Sequence, residues 1–236
     1  MPNSEPGLPN FSRIAAVIAD PSRARMLAAL LCGEYRSAGE LASVAGITPQ
    51  AASTQLAQLV DASLVAVRQQ GRHKYFALAD EEVAHALEAL SLVAGRDGVS
   101  TRWAQPAYQP LKCARRCYGH MAGELGVAQF EMLVRCSYLH NAGSAAGLQL
   151  SNAGSMWVAR LGVTVPHKTA SRFAYPCMDW SERKDHLAGT LARALLEHYL
   201  AKNWLRSEPG ARALRLTPQG QRELMPLLNE VNEVPQ

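Results

Sequence analysis

The chain has 236 residues, of which 48% are hydrophobic and 19% charged, a balance typical of a folded globular protein rather than a disordered one. No apolar run approaches the roughly 18 residues that a membrane span needs, and the N-terminal sequence lacks the basic start and apolar segment of a secretory signal. The five cysteines show no disulfide framework, which favours reduced thiols. We therefore expect a cytoplasmic protein with no membrane partner.

The net charge is +4, and its distribution along the chain is more informative than its size. Between residues 48 and 78 the only acidic side chain is Asp61, whereas Arg68, Arg72 and Lys74 lie close together. An acid-free stretch of this kind is typical of a surface that contacts nucleic acid. A solvated basic face would give the same pattern, so charge alone does not decide between the two.

Residues 11–95 predict a mainly helical domain with one small β-hairpin. N-cap and proline signals start four short helices, near residues 11, 21, 37 and 48. Ser37 and Glu40 form the pair of a capping box for the third of these helices, which covers 37–45. Two strand-like runs, 64–69 and 72–78, are joined around Gly71, and a last helix starts near residue 80.

The helix that begins at Thr48 carries a short polar face opposite its apolar stripe. Gln can bond two atoms of an adenine edge, and Ser or Thr can bond a base edge or a phosphate. The preceding helix and turn would set this helix across a major groove, while the hairpin would reach the flanking phosphates. The predicted DNA-contacting residues are Thr48, Gln50, Ser53, Thr54, Gln55, Arg68, Arg72 and Lys74. The alternative is a plain helical bundle with a polar outer face.

In residues 11–95 the sequence resembles the winged helix-turn-helix of the ArsR/SmtB family of bacterial regulators. The matching features include the Asp20-Pro-x-Arg23 opening, Ser53-x-x-Leu56, and Gly71-Arg72 before Tyr75. Gln55 stands where this family usually has histidine, and Ser63 where it usually has glycine. The resemblance implies a homodimer, built through the first and last helices of the domain, that represses transcription from a palindromic site in double-stranded DNA.

Residues 96–112 predict a linker, because two prolines and a glycine interrupt every apolar period there. The remainder, 113–236, contains an internal repeat at an offset of 66 residues. His120-Met-Ala-Gly matches His186-Leu-Ala-Gly, and Tyr138-Leu matches Trp204-Leu. Two copies are too few for a solenoid, so we expect a C-terminal domain of two winged-helix-like repeats packed against each other.

Residues 113–126 and 177–189 resemble two motifs of a subgroup of the same family that has an extended C-terminal domain. Gly119 stands where aspartate is usual in the first motif. The resemblance identifies the subgroup without naming what this domain senses, so we expect an effector-sensing domain for an unidentified small molecule or metal.

A metal site is one hypothesis for this domain. Cys113, Cys117 and His120 have the spacing of one helical face, and Cys177 or Asp179 could supply a fourth ligand to zinc or a similarly soft ion. Arginines beside the thiols would also favour thiolate redox chemistry. However, the same spacing is typical of a buried stripe. In the second copy of the repeat, 66 residues later, no cysteine corresponds to Cys113 or Cys117. Core packing is therefore the favoured interpretation.

A small organic effector is the second hypothesis. Tyr118, Arg172, Trp180 and His186 could line its pocket, although a small domain needs such side chains for its core as well. No phosphate loop, nucleophile elbow or zinc-protease motif occurs, so we predict no enzymatic activity. We predict a DNA-binding transcriptional regulator, a homodimeric repressor that an effector releases. The alternative is a metal- or thiol-responsive interaction protein whose winged helix only dimerises.

Overall fold

A computed structural model describes residues 10–94, 106–141, 143, 147–166, 172–208 and 211–230. The chain divides into two compact units, Met1–Leu87 and Glu88–Gln236. Of the expected linker, 96–105 lie outside the described residues, whereas 106–112 belong to a 3-10 turn, Pro106–Tyr108, and the helix that follows it. Within the described ranges no helix is both long and apolar enough to span a membrane.

The first unit is a winged helix-turn-helix, as the sequence predicts. Its elements are α1 (Phe11–Ile18), α2 (Pro21–Leu30), β1 (Arg36–Ser37), α3 (Ala38–Ala45), α4 (Pro49–Asp61), β2 (Val65–Gln70), β3 (His73–Leu78) and the start of α5 (Glu81–Ala94). The three strands form an antiparallel sheet in the order β1-β3-β2. The hairpin β2–β3 is the wing.

Local signals fix the helices of this unit. The Asp20 carboxylate accepts from the backbone N–H groups of Ser22 and Arg23, both at 2.9 Å, at the start of α2. The capping box of Ser37 and Glu40 starts α3. Gly46, at φ 70°, ends α3 in a left-handed conformation that glycine adopts without strain, which sets the turn into α4.

The second unit repeats the order hairpin, helix, hairpin, helix after a short helix α6 (Gln109–Cys113). The first copy contains β4 (Arg115–Cys117), β5 (His120–Ala122), α7 (Glu124–Arg135), β6 (Leu139–Asn141), β7 (Leu148–Leu150) and α8 (Asn152–Leu161). The second contains β8 (Tyr175–Met178), β9 (Asp185–Ala188), α9 (Thr190–Ala201), β10 (Leu205–Ser207), β11 (Leu214–Leu216) and α10 (Pro218–Leu228).

The two copies exchange backbone hydrogen bonds reciprocally. The N–H of Leu148 in β7 donates to the carbonyl of Ala174, before β8, and the N–H of Leu214 in β11 donates to the carbonyl of Ala114, before β4, both at 2.9 Å. The first hairpin of each copy is therefore joined to the second hairpin of the other. The winged-helix-like form of each copy stays a prediction.

One local feature is shared between the repeats and the winged helix. Ser63, Ser137 and Asn203 follow α4, α7 and α9, and each has a positive φ, between 55° and 58°. A left-handed residue at this position turns the chain from the helix into the next strand. This conformation explains why a glycine would suit position 63.

Candidate functional site

Helix α4 presents the polar face that the sequence predicts. Thr48, Gln50, Ser53 and Thr54 are exposed and Gln55 is half-buried, whereas Ala52, Leu56 and Leu59 are buried on the opposite side. Pro49 at the first helical turn and the Thr48 hydroxyl, which accepts from the N–H of Ala51, start the helix. The buried stripe therefore holds the helix while its other face remains open to a partner.

The side chains on this face are engaged to different degrees. Gln55 Oε1 accepts from the Arg23 guanidinium at 2.6 Å, and Ser53 Oγ donates to the Pro49 carbonyl at 3.0 Å. Thr54 Oγ1 donates to the Gln50 carbonyl at 3.4 Å. The Gln50 side chain makes no hydrogen bond to any described residue, so its amide is the most available for a bidentate contact.

The wing places positive charge beside this face. Arg68, Arg72 and Lys74 are all exposed on β2–β3 or its turn. A groove of about 590 Å³ runs between the wing and helices α3 and α4, and its lining includes Ser53, Arg72 and Lys74. The polar face of α4 and the basic β2–β3 hairpin therefore border one surface, an arrangement suited to a charged polymer such as nucleic acid.

The second unit brings together two cysteines and two histidines. Cys117 faces His120 across β4–β5, and Cys177 faces His186 across β8–β9. Their Sγ atoms and ring nitrogens all lie within 4.8 Å of one another, and the two Nε2 atoms are 3.0 Å apart. We call these four residues the cysteine–histidine cluster. It contains three of the four predicted metal ligands, and His186 joins them from the predicted effector set.

The fourth predicted ligand, Cys113, is not in this cluster. The prediction that Cys113, Cys117 and His120 share one helical face is wrong, because α6 ends at Cys113 and the chain continues as a hairpin. Tyr118, at φ 57°, forms the turn with Gly119 that reverses the chain. Cys117 and His120 therefore become cross-strand neighbours.

Burial and mutual hydrogen bonding shift the protonation equilibria inside the cluster. The thiol of Cys117 and both imidazoles hold the pKa of Cys177 well below its usual range, while the Cys177 partner and burial raise the pKa of Cys117. Burial lowers the pKa of His120. Burial also opposes the charged form of His186, but Asp179 and Cys177 outweigh it and raise the pKa of His186 to about 9.

Asp179 supports the cluster from outside. Its Oδ2 lies 3.4 Å from His186 Nδ1 and accepts from the Gly123 N–H at 2.7 Å, while its Oδ1 accepts from Arg115 at 2.8 Å and from the Ser181 hydroxyl at 2.7 Å. Burial works against the charged carboxylate, but His186, Arg115 and the Gly123 N–H hold the pKa of Asp179 well below its usual range. Asp179 thus aims His186 Nε2 towards the cluster.

The predicted ligand set omitted His186 because the turn of the second hairpin is longer than that of the first. Strands β4 and β5 are joined by two residues, whereas β8 and β9 are joined by six. The offset between the copies is therefore 60 residues at Cys117 and Cys177 but 66 at His120 and His186. A comparison that allowed one insertion would have matched both Cys-His pairs.

The other predicted effector residues have separate surroundings. The Trp180 ring lies 4.5 Å from the Arg115 guanidinium, and the Arg172 guanidinium lies 3.8 Å from the ring of Tyr175. Tyr118 is in the β4–β5 turn. A cavity of about 660 Å³ in this unit is lined by other residues, including Leu150, Val158, Val163, Val165 and Phe173. The predicted effector pocket stays a prediction.

Comparisons with known proteins agree with the N-terminal geometry. A family model described as a helix-turn-helix domain matches residues 18–68. The HTH-type transcriptional regulator YdfF of Bacillus subtilis is 36% identical over 214 residues, 90% of this chain and 94% of that protein. The HTH-type transcriptional regulator CmtR of Mycobacterium tuberculosis is 39% identical over 80 residues, 34% of this chain and 67% of that protein.

Solved structures match about a third of the chain. The homodimeric winged helix-turn-helix DNA-binding domain of a possible ArsR-family regulator from Mycobacterium bovis is 26% identical, with a TM-score of 0.35, and the match covers 37% of this chain and 80% of that one. The cadmium sensor CmtR from Mycobacterium tuberculosis is 36% identical, with a TM-score of 0.30, and the match covers 34% of this chain and 82% of that one.

Proposed function

Because this chain belongs to the ArsR-type winged helix-turn-helix transcriptional regulators, we propose that it binds a palindromic site in double-stranded DNA as a homodimer and represses transcription until an effector releases it. The observation that carries the proposal is the exposed polar face of α4 beside the basic wing. The names of its relatives support a regulator rather than an enzyme. Because a bacterial regulator must reach the chromosome, we propose that the protein works in the cytoplasm.

The two parts of this surface have different tasks. Gln50 and Thr54 lie on the exposed face of α4, where a helix in the major groove meets base edges. Arg68, Arg72 and Lys74 are cations on a hairpin, which suits contacts to phosphates that position the protein without reading sequence. We assign sequence preference to α4 and most of the salt-dependent affinity to the wing.

Exposed apolar side chains support the homodimer. Phe11 on α1 is 77% exposed, and Leu90 and Val93 on α5 are 49% and 56% exposed. Burying such side chains against a second copy would remove apolar area from water, and two copies related by a two-fold axis fit a palindrome. These are the first and last helices through which the family resemblance implies dimerisation.

The effector is assigned to the second unit. A regulator needs two states that differ in affinity for both effector and DNA. The second unit contains the cysteine–histidine cluster and the cavity of about 660 Å³, so either an ion or a small apolar molecule could be the signal. The cluster also supports the second candidate function, a metal- or thiol-responsive interaction protein whose winged helix only dimerises.

DNA binding by the full-length protein separates the two functions. We expect a labelled duplex from upstream of the protein's own gene to be bound in the presence of competitor DNA, with an affinity that falls as salt rises. The control is a duplex of the same composition with the palindrome scrambled. Equal binding to both duplexes, or none to either, would overturn the repressor and leave the interaction protein.

A further inference from the structure

We propose that Cys117, His120, Cys177 and His186 bind one zinc(II) ion, which joins the two repeats of the second unit. Two thiolates and two imidazoles are a common ligand set for zinc. The ligands come in pairs, one cysteine and one histidine from each first hairpin. The proposal concerns the second unit alone and stands whether or not the protein binds DNA.

The distances fit a single small ion. With Zn–S near 2.3 Å and Zn–N near 2.0–2.1 Å, neighbouring ligand atoms of a tetrahedron stand roughly 3.3–3.8 Å apart. In the cluster the Nε2 atoms of His120 and His186 are 3.0 Å apart and no pair of ligand atoms exceeds 4.8 Å. Shifts of a few tenths of an ångström to about one ångström would complete the tetrahedron.

The burial of the cysteine–histidine cluster favours a bound ion. Cys117, His120 and His186 are each at most 3% exposed, so their polar atoms have little access to water. Two imidazole Nε2 atoms in contact can form only one hydrogen bond, in which one ring donates and the other accepts. An ion between them accepts a lone pair from both rings, and two thiolates balance its charge of +2.

The surroundings resemble the outer shell of a metal site. A histidine that binds metal through one nitrogen usually donates its other N–H to a carboxylate or carbonyl. His186 Nδ1 lies 3.4 Å from Asp179 Oδ2, which is an ion-pair contact rather than a full hydrogen bond, and Arg115 and the Gly123 N–H hold that carboxylate in place. This arrangement leaves Nε2 of His186 as the nitrogen that faces the cluster.

The site is closed. Four protein ligands leave no position for a substrate, which is typical of structural zinc sites and unlike catalytic ones. Because each repeat supplies two ligands, the ion would cross-link two hairpins that are separated in sequence by about 60 residues. We therefore expect zinc to stabilise the packing of the repeats, since binding energy at such a site is folding energy.

The test uses the full-length protein, loaded with zinc(II) and then dialysed against metal-free buffer. We expect about one zinc per chain by elemental analysis. Cobalt(II) in its place should give the intense visible bands of a tetrahedral thiolate site. The variants Cys117→Ser, Cys177→Ser and His186→Gln should lose both signals. Matched controls are Cys113→Ser and Cys136→Ser, which replace cysteines outside the cluster and should retain both signals.

Measurements on the unmutated chain keep the test decisive if the ligand variants fail to fold. Removal of zinc with a chelator should lower the midpoint of thermal unfolding, and re-addition of zinc(II) should restore it. Alkylation of Cys117 and Cys177 should become faster after chelation, by at least tenfold, than in the zinc-loaded protein. Retention of far less than one zinc per chain, or full retention by a folded Cys177→Ser variant, would overturn the proposal.

Discussion

Arg115 and Asp179 form an ion pair in which neither side chain is exposed to solvent. Arg115 Nη2 and Asp179 Oδ1 are 2.8 Å apart, and the two side chains are each 0% exposed. Arg115 lies in β4 of the first repeat, whereas Asp179 follows β8 of the second. The pair therefore joins the same two hairpins that carry the cysteine–histidine cluster.

We expect the variant Arg115→Met to lose about 3–5 kcal/mol of unfolding free energy, because it leaves the Asp179 carboxylate buried without its cation. Urea unfolding followed by tryptophan fluorescence measures this, since all four tryptophans follow residue 87 and report on the second unit. The control is Lys184→Ala, which breaks an exposed pair with Glu131. Its midpoint should not move, and equal midpoints for both variants would contradict the prediction.

The fold of the first unit was predictable because its signals are local. A capping box, a proline at a first helical turn and a glycine after a helix each act within four residues, and Ser37, Pro49 and Gly46 occupy those positions in the structure. The exposed face of α4 followed from the same helix assignment, because its buried and exposed positions alternate with the helical period.

The cysteine–histidine cluster was only partly predictable, because its geometry depends on contacts between distant segments. The spacing of Cys117 and His120 is compatible with one turn of a helix as well as with a β-hairpin. The tight turn at Tyr118, which has a positive φ, makes the segment a hairpin. The pairing of Cys177 with His186 was hidden by the longer turn between β8 and β9. Packing between distant segments, rather than residue type alone, therefore determines which cysteines and histidines lie together.

The wing predicts a salt effect. Replacing Arg72 and Lys74 with alanine should weaken binding to every duplex and reduce the slope of log affinity against log salt by about 3.6, because the homodimer loses four phosphate contacts and each contributes roughly 0.9. Fluorescence anisotropy at four or more salt concentrations measures the slope. Arg222→Ala, at an exposed position on α10, is the control and should leave the slope unchanged. A slope that stays constant in the double variant would exclude the wing from DNA contact.

Helix α4 predicts a sequence effect. Gln50→Ala should cost on the order of 1–3 kcal/mol at the preferred site and much less on random DNA, because the amide reads a base edge. Gln55→Ala is the matched control, since its carbonyl oxygen already accepts from Arg23 and is less available to a base. The measurement is the affinity of each variant for the preferred site and for random DNA. Equal losses for Gln50→Ala on specific and random DNA would mean that this face does not read sequence.

The capping box predicts a pH effect on the first unit. The hydroxyl and backbone N–H of Ser37 donate to the Glu40 carboxylate and lower its pKa below the model-peptide value. A depressed folded pKa stabilises the fold above the unfolded pKa, near 4.3, and this stabilisation is lost as the pH falls through the folded pKa. The stability difference between the unmutated chain and Glu40→Gln should therefore shrink below about pH 4. A difference that is constant from pH 7 to pH 3 would contradict the assignment.

Position 119 predicts a stabilising substitution. Gly119 lies beside Arg193, whose buried Nε has no hydrogen-bond partner among the described residues. The family subgroup that the chain resembles usually has aspartate here, and a carboxylate at this position would accept from the guanidinium. Because a Cβ would stand 2.7 Å from Arg193 Nε, the arginine must move slightly, which its flexible side chain allows.

We expect Gly119→Asp to be more stable than Gly119→Ala by roughly 1–3 kcal/mol, since a hydrogen bond between charged groups replaces an unpaired buried donor. The alanine variant introduces the same Cβ contact without the carboxylate, so the comparison isolates the ion pair. In an Arg193→Met background the two variants should unfold at the same urea concentration. An advantage for aspartate that persists without Arg193 would show that the carboxylate acts on another group.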